Sequence, residues 1–334
     1  MTLAARVSIG ARAVIVLGVL AVARVGTEGG SGSAQAPEHP DPRAHHQLAY
    51  HAADRRVYLI GGSTRRDNGY FYFDDVWSWN GERWTSAGSL PFRRSSHRVV
   101  YHARRRSLVL FGGGFDRTFA ADGRFWEWRD GTWAPLGDDA QGAGRAEPGM
   151  CYDERRDRVV VFGGWDDANV FSDSTWEWSG SALRPALLAG GPSARAGHAF
   201  LYDPVRRRCL LFGGRDDAGL LSDTWEWDGA EWRQIAVSGP SARWFLGAAT
   251  DPVNRRIVVF GGSGDERDFG DTWVWNGHRW LLLDGDGPAA RGMAKLAFDG
   301  TGVTLFGGRT RTPGGFEDRN DTWILRDREW VRVR

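Results

Sequence analysis

Short apolar runs, each closed by a pair of glycines, recur along this chain. The segments YLIGG, VLFGG, VVFGG, LLFGG, VVFGG and TLFGG end at Gly62, Gly113, Gly164, Gly214, Gly262 and Gly308. A polar loop of about a dozen residues follows each, and then an alternating segment built on Trp-x-Trp. Apolar runs of this length bounded by glycine predict buried strands. The alternating segments predict strands with one aromatic face. The glycine pairs stand 46 to 51 residues apart, the period of a propeller blade rather than of a helical solenoid.

The fourth repeat shows the strands most clearly. Residues 198–202 predict a first strand, 203–206 a turn and 209–212 a second strand. The second strand is apolar throughout, which predicts burial on both faces close to the propeller axis. Residues 224–227 alternate as a third strand, Asp228-Gly229 gives the hairpin turn, and Trp232 opens a fourth. Six such units predict an all-β fold, a six-bladed β-propeller with four antiparallel strands per blade, spanning 40–334. Of the 18 tryptophans, eleven fall in the third-strand pairs and five open an outer strand. Each stacked indole buries roughly 200 Å² against a neighbouring blade, or about 5 kcal/mol before entropy. Only Trp165 and Trp244 fit neither place.

The residues Arg195, His198, Gly213, Gly214, Trp225 and Trp227 together resemble a Kelch repeat, and the resemblance covers about 40–334. It implies a six-bladed propeller of the type also found in galactose oxidase-like proteins. The third repeat departs from it, with Pro148 in the histidine position and Leu183-Arg184 where an outer-strand tryptophan belongs. The last has Leu325 in place of its second tryptophan. Every repeat holds its four strands in order, so ring closure rests on packing between the first and last blades.

Residues 1–23 read as a signal peptide of bacterial type. Arg6 and Arg12 precede the apolar run 13–23, which ends on Ala21 and Ala23 at A-x-A spacing. Residues 24–39 read as a flexible linker. The protein is therefore expected to be secreted or periplasmic, or anchored by an uncleaved N-terminal segment, with no membrane span once the leader is removed, and monomeric. Cys151 and Cys209 read as two small buried hydrophobes, with a disulfide permitted only if their Cα atoms lie within about 7 Å. Net charge is +1, and of 43 basic residues all but Lys295 are arginine. No single-sign block exists, which argues against nucleic acid as a partner.

Residues repeated in every blade are structural, because a ligand without sixfold symmetry cannot use them alike. Arg43, Arg94, Arg145, Arg195, Arg243 and Arg291 are expected to clamp Asp75, Asp223, Asp271 and Asp321. Arg124 interrupts the aspartate series, which leaves Arg94 or Arg145 available for a ligand. His46, His97 and His198 sit around a ring and are not expected to bind metal. The hairpin-turn arginines read as a solvated face. The positions that break symmetry form the candidate ligand site: Trp165, Trp244, Phe245, Arg94, Arg145, Glu147 and Arg215, on the face made by the loops between strands two and three and between blades. No catalytic residue, metal or cofactor is assigned. The favoured function is a non-enzymatic protein- or glycan-binding module. The alternative is a carbohydrate-active enzyme of the propeller mutarotase or galactose oxidase-like type.

Overall fold

The structure, a computed structural model, describes residues 38–67, 69–114, 123–137, 143–188, 190–235 and 237–333. The leader and nearly all of the linker lie outside the described residues. Those described form six four-stranded antiparallel sheets and three two-stranded ribbons, with no helix among them. In each blade the strands run in sequence order, as in Ala199–Asp203, Arg208–Phe212, Thr224–Trp227 and Trp232–Ile235.

The first strands, not the second, ring the axis. Gln47–His51, Ser95–His102, Gly149–Asp153, Ala199–Asp203, Gly247–Asp251 and Lys295–Phe298 each pack on the next, and the last packs on the first. The second strands are buried on both faces as their composition demands, but they lie one layer further out, between their own blade's first and third strands.

Local chemistry explains the repeat. The second glycine N–H of each blade donates to the carbonyl of the next blade's repeated arginine, from Gly62 to Arg94 at 2.8 Å through to Gly308 and Arg43 at 2.9 Å. Glycine is required because both residues of the pair adopt positive φ, 54° at Gly61 and 105° at Gly62, and a Cβ on Gly61 would stand 2.6 Å from the Arg94 carbonyl oxygen. The histidine of the following blade fits against the same glycine, which ties the Arg-x-x-His segment to the Gly-Gly pair in space.

Tryptophans cement the blades by two routes. The second indole of each pair is buried, from Trp79 to Trp275, and Trp227 and Trp275 also donate to Glu177 and Asp203 of the preceding blade. The outer-strand indoles of Trp232, Trp280 and Trp330 donate to Thr175, Thr224 and Thr272, again one blade back. Trp84 makes the same bond to Thr322 at 3.0 Å, which joins blade one to blade six. Leu48, Leu59, Trp79, Phe306 and Ile324 fill that seam. Closure therefore uses the same indole–threonine bond as the boundaries between blades three and four, four and five, and five and six.

Cys151 and Cys209 form a disulfide, with Cα atoms 6.3 Å apart, which corrects their reading as unlinked hydrophobes. Alternation alone hid the pairing: one sulfur sits in a first strand and the other in the next blade's second strand, side by side only after blades three and four stack. The bridge closes a chain separation of 58 residues. Reduction, or a Cys151→Ala/Cys209→Ala variant, is expected to lower stability by about 2–4 kcal/mol, read as a lower urea midpoint without a change in the far-ultraviolet spectrum of the folded protein.

Candidate functional site

Four of the repeated arginines form the expected clamps. Arg43, Arg195, Arg243 and Arg291 each make bidentate bonds of 2.5–3.0 Å to Asp75, Asp223, Asp271 and Asp321, and the indole N–H of the adjacent tryptophan donates to the same carboxylate. Burial alone would raise the carboxyl pKa of Asp223, Asp271 and Asp321, but the arginine bonds outweigh it and hold all three below the usual range. Arg94 is not available to a ligand. It is fully buried, donates to the Gly112 carbonyl and lies over Phe92 and Trp126. Arg145 likewise turns back into its own loop, donating to the Gly144 carbonyl at 2.7 Å.

The other candidates converge at the axis. Two residues after each repeated arginine, His45, Ser96, Glu147, Gly197, Phe245 and Met293 all adopt left-handed backbone, with φ of 49–67°. Ser96, Glu147, Gly197, Phe245 and Met293 each donate a backbone N–H to the preceding blade's member at 2.7–3.2 Å. This ring draws the chain around the axis on the loop face. Phe245 sits within it, against the rings of Trp244 at 4.1 Å, His45 at 5.3 Å and Trp165 at 6.2 Å. Arg215 lies over Trp244 at 5.4 Å and pairs with Asp265. Trp165, Trp244, Phe245, Glu147 and Arg215 thus share one end of the axis, while Arg94 and Arg145 belong to the blades.

Beneath the ring lies the most charged part of the interior. Glu147 is fully buried, accepting from His45 Nδ1 at 2.7 Å on one oxygen and from Arg98 at 2.6 Å on the other. Burial favours its neutral form, but the Arg98 and Lys295 charges and the His45 bond outweigh that and hold its carboxyl well below the usual range. Lys295 is buried as well. Loss of solvent, then the Arg98 charge, bring its ammonium down to about 8 against the partial support of Glu147. His97 and His198 flank this set fully or almost fully buried, and among the described residues no ring nitrogen of either has a hydrogen-bond partner.

Sequence reasoning overlooked Arg98 and Lys295. Both stand four residues after the repeated arginine, where the other blades carry Gln47, Gly149, Ala199 and Gly247. Their signal is a break in symmetry inside a first strand, where a charged residue replaces a small or amide one. They line a 260 Å³ cavity along the axis together with residues of all six first strands. At its other end stand Tyr50, Tyr101 and Tyr202, half-buried near the hairpin turns. These tyrosines pack against the blade cores and line the cavity as well.

On the hairpin face, arginines bond to carboxylates of their own blade: Arg105 to Glu127, Arg156 to Asp153 and Glu177, Arg206 to Glu226, and Arg256 to Asp251. Glu127, Glu177 and Glu226 are the middle residues of Trp-x-Trp, which explains that choice in three blades. Both cysteines are consumed by one disulfide, so neither can carry the tyrosine–cysteine cross-link of a galactose oxidase-like copper site.

Residues 170–334 match the family model of the KLHDC2/KLHL20/DRC7 Kelch-repeats domain. Over that span the chain is similar to this Kelch-repeat domain, and the glycine-pair bond to the next blade's arginine continues through the N-terminal blades. No curated protein matches the chain.

Proposed function

We propose that the protein is a non-enzymatic binding module that docks a peptide segment of a partner protein on its loop face. A Kelch-repeat propeller is consistent with a protein-binding module. The observation that carries the reading is the aromatic group Trp165, Phe245 and Trp244, with Arg215 alongside, at positions the blade repeat does not require. Two ribbons on the same face add exposed rings, Tyr70 at 54% and Phe316 at 50% exposure. Aromatics beside arginine are the residue types that dominate binding energy at protein interfaces. The ribbons are braced against each other, since Thr64 Oγ1 and the Arg65 N–H both donate to Asp318, so ordering them on binding costs little entropy.

The 13–23 apolar run and the A-x-A site support export, and the disulfide suits an oxidising compartment. The functional unit is taken as a monomer outside the cytoplasm.

Peptides selected from a displayed random library on the immobilised protein test the loop-face site. Trp165→Ala and Trp244→Ala are each expected to weaken the selected peptides by on the order of 2 kcal/mol, about thirtyfold. Peptides bound equally well by both variants would place recognition elsewhere.

A further inference from the structure

The only lysine of the chain stands in the axial cavity. Forty-two other basic positions are arginine, so a cation of this kind at residue 295 departs from the habit of the whole sequence. Its structural duty is hard to find. Lys295 is 8% exposed, and among the described residues its amine makes no hydrogen bond or ion pair. Glu147 draws on its charge, but both hydrogen bonds on the carboxylate oxygens come from His45 and Arg98 rather than from this amine. A buried, unpartnered ammonium is costly unless something compensates it.

The surroundings point to a ligand. The cavity runs from Arg98 and Lys295 along the first strands toward the half-buried tyrosines at the hairpin end. Its 260 Å³ is below the roughly 300–1,000 Å³ of sites for drug-sized molecules. Arg98 uses two N–H donors, one on Glu147 and one on the His97 carbonyl, out of the five that a guanidinium carries. Gln47, His198, Thr250 and the tyrosines supply further polar groups to the wall, with Glu154 at the hairpin end, between apolar side chains such as Leu48, Val99 and Leu296. The charged and titratable groups that share the amine's field are Arg98, Glu147, His46 and His97, with His198 and Glu154 on the wall of the same cavity, and among the described residues none of them hydrogen-bonds the amine.

We propose that Lys295 is a nucleophilic amine that takes a small 2-oxo carboxylate into the axial cavity as an imine, with the carboxylate held by Arg98. The lone pair on Nζ attacks the carbonyl carbon and a C–N bond forms. The carbonyl oxygen departs as water with the two protons that the amine gives up, leaving C=N. No oxidant, reductant or further reactant is consumed. Desolvation and a neighbouring cation are the two means by which lysine amines are made reactive, and both act on Lys295.

The test uses the full chain with sodium pyruvate, followed by borohydride to fix any imine and by intact mass and peptide mapping. One adduct on Lys295 is expected, absent from Lys295→Arg. Pyruvate is expected to be trapped over acetone on the order of tenfold more selectively than by N-acetyl-lysine under the same conditions, the share a charge-assisted bond to Arg98 would add. No adduct on Lys295 in the unaltered protein overturns the proposal, and mapping on that protein does not depend on how a variant folds. Adduct confined to the N-terminal amine overturns it equally. Selectivity equal to that of free lysine overturns the role given to Arg98.

Discussion

Glu147→Gln is expected to lower stability by about 3–5 kcal/mol. The amide preserves shape, so the effect isolates charge. Glu147 is the one carboxylate between Arg98 and Lys295, fully buried, with both oxygens bonded. Once it is neutral, Arg98 keeps its charge in a site without solvent, and Lys295 escapes the same penalty only by shedding its proton. The amide can keep both contacts, its oxygen accepting from Arg98 and its N–H donating to His45 Nδ1 in the other tautomer, so the loss is one of charge. Urea unfolding at pH 7 measures the loss. A change below about 1 kcal/mol would mean that the interior charges are compensated by solvent and that the axis is not sealed.

Acid is expected to weaken the fold from about pH 6.5 downward, well before the carboxylates titrate. His46, His97 and His198 are fully buried, and desolvation, then neighbouring arginines, hold all three well below the ordinary histidine value. The unfolded chain then binds protons that the folded chain refuses, so stability rises with pH through this window and falls as pH drops below the unfolded value. The unfolded imidazole is half protonated at pH 6.5 and nearly fully so a unit lower, so each such histidine removes about 1 kcal/mol between pH 6.5 and pH 5.5 and the three together about 3 kcal/mol. His51 and His102 are lowered as well and act in the same direction. The chain itself names the control, because blade five carries Leu246 at the equivalent position. Unfolding midpoints from pH 8 to pH 5 are expected to flatten stepwise in His46→Leu, His97→Leu and His198→Leu. A flat profile down to pH 5 in the unaltered protein would contradict the burial of neutral imidazoles.

Repetition made the fold readable, and the same repetition limited what was readable of the site. Gly-Gly and Trp-x-Trp recur because every blade boundary poses the same problem, a carbonyl pressed against a backbone and an indole stacked one blade back. The arginine clamps followed from planar pairing with aspartate. What failed was radial position. Apolar content marked the second strands as buried, but a strand at the axis is also allowed polar residues when it faces a cavity, and Gln47, Arg98 and Lys295 used that freedom. The disulfide was hidden for the same reason, since partners in different blades meet only in three dimensions. Arg94 was misjudged because a missing aspartate was taken as a missing partner, whereas the Gly112 carbonyl and two aromatic faces receive it. Among the loop candidates, Trp165, Trp244 and Phe245 were found by subtracting the repeat, and the structure brings their rings together.

The central claim is that the symmetry-breaking charges at the axis act as one coupled unit within a ring of equivalent blades. A double-mutant cycle at pH 7 with Glu147→Gln and Lys295→Met tests it most directly. Lys295→Met in the Glu147→Gln background is expected to recover stability relative to the single variant, giving a coupling of about 0.5–3 kcal/mol. Losses that add to within about 0.3 kcal/mol would contradict the account.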